Sequence, residues 1–221
     1  MPPSDSSTTV ERSIALLWEL YSAPDGLSVS ELARRLQTQR TALYRLLRPF
    51  LRTQFIRRGD HKRYYLGFGI TALARAVAQP IELLTTAALQ RLADVTGCAA
   101  MIIADTDDIL VTVASATPLQ PGMYVTTPVG FVHEGNDVAR RAIASVASSA
   151  AASDEAMADS ERGFVSNGDG GSLVTTMAVP FYAPLIGTPA CILVASVHPL
   201  DESSVAELLN QTVLELTVPP Q

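Results

Sequence analysis

Ten of the chain's sixteen lysine and arginine side chains fall between Arg34 and Arg63, where Asp60 is the one acidic residue. Nine net positive charges in thirty residues require a fold that keeps these side chains in water or against a partner, because unpaired charges are costly away from water and like charges repel. Residues 1–80 carry twelve basic against six acidic side chains, a balance of +6, and residues 81–221 carry four against sixteen, a balance of −12. The overall charge of −6 hides this step. A change so abrupt divides the chain into a basic module of about 75 residues and an acidic one of about 130, each able to bury a core. The basic module suits a polyanionic partner, a phosphate backbone above all.

Within the basic module, Val10, Ile14, Leu17 and Tyr21, with Leu16 and Leu20 beside them, recur at three- and four-residue spacing. That predicts an amphipathic helix from Val10 to Ser22, ended by Pro24-Asp25-Gly26. Ser28 or Ser30 then caps a second helix running through Leu32, Ala33 and Leu36. A third starts near Gln39. Its Leu43, Leu46, Leu47 and Phe50 point inward and leave Arg40, Thr41, Tyr44, Arg45 and Arg48 outward. Pro49 should terminate or bend that helix. Phe55 to Arg58 and Arg63 to Leu66 read as a β-hairpin around a Gly59-Asp60-His61-Lys62 turn, presenting Arg57, Arg58, Lys62 and Arg63. A helix pair followed by a basic hairpin is what a major-groove reader with a phosphate-contacting wing requires. One such module makes few contacts, so a paired protein is expected, with Leu16, Trp18 and Leu20, together with a linker helix after the hairpin, as candidates for the contact.

The acidic half predicts a helix from Ile81 to Gly97, then strands at Cys98 to Ala104 and Ile109 to Ala114 around an acidic turn. A second pair follows at Ser172 to Pro180 and Ala190 to Val197, with Phe181 to Pro189 as the turn. An antiparallel sheet flanked by helices is the economical assembly. Cys98 and Cys191 lie in apolar runs and read as core residues. No Gly-x-Ser-x-Gly, phosphate-binding or dinucleotide loop occurs, and Asp105, Asp107 and Asp108 lack the rest of a calcium loop. An enzyme, a cofactor and a metal are therefore not expected. Met1 to Thr9 lacks the apolar stretch of a secretion signal and no run reaches membrane-spanning length, so a cytoplasmic protein without a membrane partner is expected.

The segments Val10 to Leu17, Gly26 to Leu36, Tyr44-Arg45-Leu46-Leu47 and Arg63-Tyr64-Tyr65-Leu66-Gly67 together resemble the IclR-type bacterial transcriptional regulators. The resemblance implies an α+β chain. Residues 1–9 would be a disordered tail, 10–67 a winged helix-turn-helix, and 68–80 a linker helix. Residues 81–221 would be a GAF-like effector-binding and oligomerisation domain, shortened between Arg140 and Gly163. It implies a double-stranded DNA operator contacted through Ser28, Arg40, Thr41, Tyr44, Arg45, Arg48, Arg57, Arg58, Lys62 and Arg63. It also implies a homodimer or homotetramer and a small-molecule effector near Val129, Asn136, Asp137, Ser166, Thr175, Thr176 and Ser196. Hydroxyl and amide groups among apolar neighbours are the mix that small-ligand sites use. At the start of the third helix, where Lys or Arg followed by Ser-Thr is common, Arg40 and Thr41 carry over and Ala42 departs from the family pattern. The chain departs also at Tyr44, where His is common, and at Arg140-Arg141, where Gly-Lys is common. Two other readings stay open: a ligand-free oligomerisation domain on a DNA-binding module, and a winged helix serving protein contact.

Overall fold

The computed structural model describes residues 8–106, 109–134, 138–147, 162–167, 173–183 and 187–217. The chain divides into two compact units, residues 1–77 and 78–221. The first holds α1 (Thr8–Tyr21), α2 (Val29–Arg35), α3 (Arg40–Arg52) and a hairpin of β1 (Ile56–Arg58) and β2 (Tyr64–Leu66). The leucine spacing explains the assembly. Leu16 and Leu20 from α1, Leu32 from α2, Leu43 and Leu47 from α3, and Ile56 and Tyr64 from the hairpin meet in one core. Each fully buried leucine contributes about 1.5–3 kcal/mol relative to exposure. Leu27 and Tyr64 exchange two backbone hydrogen bonds, at 2.9 and 2.7 Å, which fasten the start of α2 to the hairpin.

Two expectations change here. Helix α3 passes through Pro49 to Arg52. The ring removes the N–H that would have met the Arg45 carbonyl, but Arg45 and Pro49 are both exposed, so water can donate to that carbonyl in place of the missing N–H. Leu16 and Leu20, expected at a contact with a second chain, are 0% and 3% exposed in the core. The outward apolar residues of α1 are instead Val10, Ile14, Trp18 and Tyr21. At 3.6 residues per turn they fall within an arc of about 80°.

In place of a linker helix and a separate helix from Ile81, one helix, α4, runs from Gly69 to Thr96 with Pro80 inside it. The division between the units falls within α4, between Val77 and Ala78. Gly97 follows with φ +65°, the left-handed conformation that ends helices without steric cost when no Cβ is present. The second unit contains β3 (Ala99–Thr106), β4 (Ile109–Ala116), β5 (Val132–His133), α5 (Val138–Ala147), β6 (Val165–Ser166), β7 (Thr175–Ala183), β8 (Thr188–Ser196) and α6 (Glu202–Thr217). Its six strands form an antiparallel sheet in the order β5-β4-β3-β8-β7-β6.

Both faces of this sheet are apolar and covered. Ile102, Met177, Val179, Ile192 and Val194 pack with Leu89 and Leu92 of α4 and Leu209 of α6. Met101, Ile103, Ala178, Cys191 and Leu193 pack with Ala139, Ala142 and Ile143 of α5. Cys98 and Cys191 are both buried, and neither is in a disulfide. The second strand pair is longer than its sequence suggests, since Phe181, Tyr182 and Ala183 pair with Ala190, Pro189 and Thr188. Phe181 and Ala183 are core residues, so burial extends the strands into what composition reads as a turn. A bulge interrupts the first pair. Ile102 lies opposite Ala114 and Ile103 opposite Thr112, so Val113 is passed over and the side-chain alternation of β4 inverts there.

Candidate nucleic-acid interface and ligand face

Helix α3 positions its polar row through its leucines. With Leu43 and Leu47 anchored in the core, Arg40, Thr41, Tyr44, Arg45 and Arg48 are all exposed. The three- and four-residue steps between them make one continuous outward face. Tyr44, at 52% exposed, puts a large ring into solvent, where burial by a partner is the natural use for it.

The remaining expected contacts divide into outward and inward groups. Arg57 and Arg58 are exposed on β1. The Arg57 guanidinium lies 4.4 Å from the Tyr65 ring centroid and that of Arg58 lies 5.9 Å from the Tyr64 ring. These cation–π contacts restrain the side chains without neutralising them. Lys62 is exposed at the hairpin tip, where both it and His61 have left-handed backbones, φ 58° and 54°.

Arg63 turns back into its own unit. Its Nε donates to the Asp25 carbonyl at 2.9 Å, Nη2 donates to the Gly26 carbonyl at 2.8 Å, and Nη2 also lies 3.4 Å from the Glu31 carboxylate. Ser28 is equally committed, as the cap of α2. Its Oγ accepts from the Glu31 N–H at 3.3 Å, while the Glu31 carboxylate accepts from the Ser28 N–H at 2.7 Å. Hydrogen bonding to Ser28, its N–H foremost, holds the Glu31 carboxyl below the ordinary glutamate pKa against desolvation, with a lesser pull from Arg63.

In the second unit the five expected ligand residues that are described do not share one face. Asn136 and Asp137 lie outside the described residues. Val129 sits at the exposed corner of a turn in which Phe131 N–H donates to Pro128 carbonyl and Gly130 has φ +88°. Alternation from Met177 and Val194 puts Thr175 and Ser196, opposite one another on β7 and β8, on the α4/α6 side. Ser196 Oγ accepts from the His198 N–H at 3.0 Å. Ser166, opposite Met177, donates from Oγ to the Glu202 carboxylate of α6 at 2.8 Å. Thr176 belongs to the α5 side with Ala178.

That α5 side carries a polar cluster that sequence reading passed over. Thr112 is fully buried, and its Oγ1 lies 2.6 Å from Thr127 Oγ1 and 2.9 Å from His133 Nε2. Thr127 N–H donates to the Met101 sulfur at 3.3 Å, and the Phe131 ring packs edge-on against His133 with centroids 5.0 Å apart. Hydroxyl, imidazole, thioether and ring thus share one face with the apolar residues under α5. The available signal was a lone threonine in the apolar run Ile109 to Ala114, but the bulge at Val113 concealed which face it takes.

The IclR helix-turn-helix domain family matches residues 9–60. No curated protein matches the sequence. Among solved structures, the chain is similar to an IclR family transcriptional regulator from Brucella abortus at 16% identity and TM-score 0.78, covering 97% of this chain and 94% of that one. An IclR transcriptional regulator from Alicyclobacillus acidocaldarius gives 20% identity and TM-score 0.76, covering 96% and 98%. An IclR homolog from Microbacterium hydrocarbonoxydans, solved in complex with 4-hydroxybenzoate, gives 13% and 0.73, covering 94% and 97%. Residues 9–60 therefore match the IclR helix-turn-helix domain family, in a chain whose α+β fold is similar to that of solved IclR-family transcriptional regulators.

Proposed function

We propose that this chain is a sequence-specific DNA-binding transcriptional regulator whose acidic unit binds a small metabolite and joins copies of the chain. The observation that carries the reading is the outward row of α3, five exposed polar side chains held in register by a buried leucine seam. Arg40, Thr41 and Tyr44 are the base-edge candidates, Arg45 and Arg48 flank them, and Arg57, Arg58 and Lys62 offer phosphate contacts from the hairpin. Ser28 and Arg63 support this surface from beneath. The test is binding of the purified protein to fragments of its own upstream region against a random duplex, titrated with salt. Tight, fragment-selective binding that weakens steeply with salt is expected. Equal, weak binding to both would sink the regulator reading in favour of protein contact.

The ligand face proposed is the α5 side of the sheet, around Thr112, Thr127, His133 and Thr176. A protein of the same fold holds 4-hydroxybenzoate, which supports a small molecule in such a domain. Ligand at one hundred times its Kd raises stability by about 2.7 kcal/mol, so a screen of small carboxylic acids by melting temperature reads this directly. A screen with no shift, together with intact DNA binding, would favour a ligand-free oligomerisation domain. Among the described residues no helix is long and apolar enough to cross a membrane.

A further inference from the structure

A cleft of about 320 Å³ lies on the first unit, lined by Thr9 and Arg12 of α1, Thr38 before α3, and Ala42, Arg45 and Leu46 of α3. Two guanidinium groups from different helices line one recess, and among the described residues neither forms an ion pair. The hydroxyls of Thr9 and Thr38 make no hydrogen bond there either. Four side-chain donors with no internal acceptor therefore share one lining, and the two like charges repel unless an anion sits between them. Ala42, with no side chain beyond Cβ, keeps the wall contributed by α3 low.

We infer that this cleft seats a phosphate of the DNA backbone, held by Arg12 and Arg45 with help from the Thr9 and Thr38 hydroxyls. The inference rests on the DNA-binding reading and deepens it. A backbone phosphate is the occupant because the cleft shares Arg45 with the outward row of α3. When the recognition helix of a helix-turn-helix lies in the major groove, neighbouring elements meet the flanking strand. Guanidinium forks match phosphate oxygens in geometry and charge. Arg45 is on this account a positioning contact that fixes the depth and register of α3, and base discrimination falls to Arg40, Thr41 and Tyr44.

The test measures dissociation constants of the full chain for the tightest-bound upstream fragment and for a random duplex, each across a salt series, for wild type, Arg12→Ala, Ala42→Leu and Tyr44→Ala. Arg12 is exposed and outside the core, so Arg12→Ala should keep the wild-type melting temperature. It should weaken binding to both duplexes by the same factor, roughly tenfold, and reduce the salt slope by about 1. Ala42→Leu, which fills the cleft without altering charge, should reproduce that uniform loss. Tyr44→Ala should weaken the selected fragment more than the random duplex. Wild-type binding with an unaffected Arg12→Ala overturns the cleft assignment and leaves the DNA reading standing, as does a loss confined to the selected fragment. Failure of the wild type to bind either duplex overturns both.

Discussion

Arg45 and Arg63 carry the same charge and were equal candidates for DNA contact by sequence, but their surroundings separate them. The Arg45 guanidinium faces solvent from α3, whereas that of Arg63 joins the Asp25 and Gly26 carbonyls and the Glu31 carboxylate. Arg45→Ala is expected to weaken DNA binding strongly and leave the melting temperature nearly unchanged. Arg63→Ala is expected to lower the melting temperature, because it strips two backbone carbonyls of a charged donor, each such bond contributing about 1.5–3 kcal/mol. Thermal unfolding and duplex titration of both variants check the contrast, and equal loss of stability in the two would refute it. A row of arginines in a sequence shows charge alone. Which of them meets a carbonyl depends on Arg63 lying near Gly26, thirty-seven positions earlier, a contact that only the closed hairpin creates.

Among the elements, α2 shows how local chemistry and long-range contact reinforce each other. The capping box between Ser28 and Glu31 was legible in the spacing, though Ser28 and Ser30 were both open. The Leu27–Tyr64 bridge and Arg63 complete it from the hairpin. Because the folded pKa of Glu31 lies below its unfolded value, its contribution is fully present above the unfolded pKa, about 4.3, and is lost as pH falls through the folded value. The melting-temperature difference between wild type and Glu31→Gln should therefore be largest near neutrality and close progressively below pH of about 4. A difference independent of pH would show that the cap acts by shape rather than charge. Periodicity revealed α1, α3 and the four long strands, because leucine spacing and apolar runs are local. It did not reveal that α3 runs on past Pro49 to Arg52 or that α4 runs through Pro80. It failed also at Val113, where one bulged residue decides which side of the sheet receives Thr112.

For the whole molecule, the exposed stripe of α1 bears on assembly. Val10, Ile14, Trp18 and Tyr21 stand outward on the face opposite Leu16 and Leu20, and the Trp18 and Tyr21 rings meet edge-on at 5.6 Å. Four large apolar side chains in one row on a basic unit are costly to leave in water, at about 25 cal/mol per Å² of apolar surface. We propose that a second copy of the chain covers them, pairing two DNA-reading units for two half-sites. The Trp18→Glu and Ile14→Glu substitutions alter no core position, so folding should persist while the stripe becomes charged. The expected result by light scattering at micromolar concentration is a smaller assembly than wild type. It should be accompanied by a loss of affinity for a two-half-site fragment of roughly a hundredfold or more, because the second contact is no longer intramolecular. Affinity for an isolated half-site should change little, which separates lost pairing from a damaged α3. An unchanged mass in both variants would move the self-contact to the acidic unit and leave the α1 stripe for a different partner.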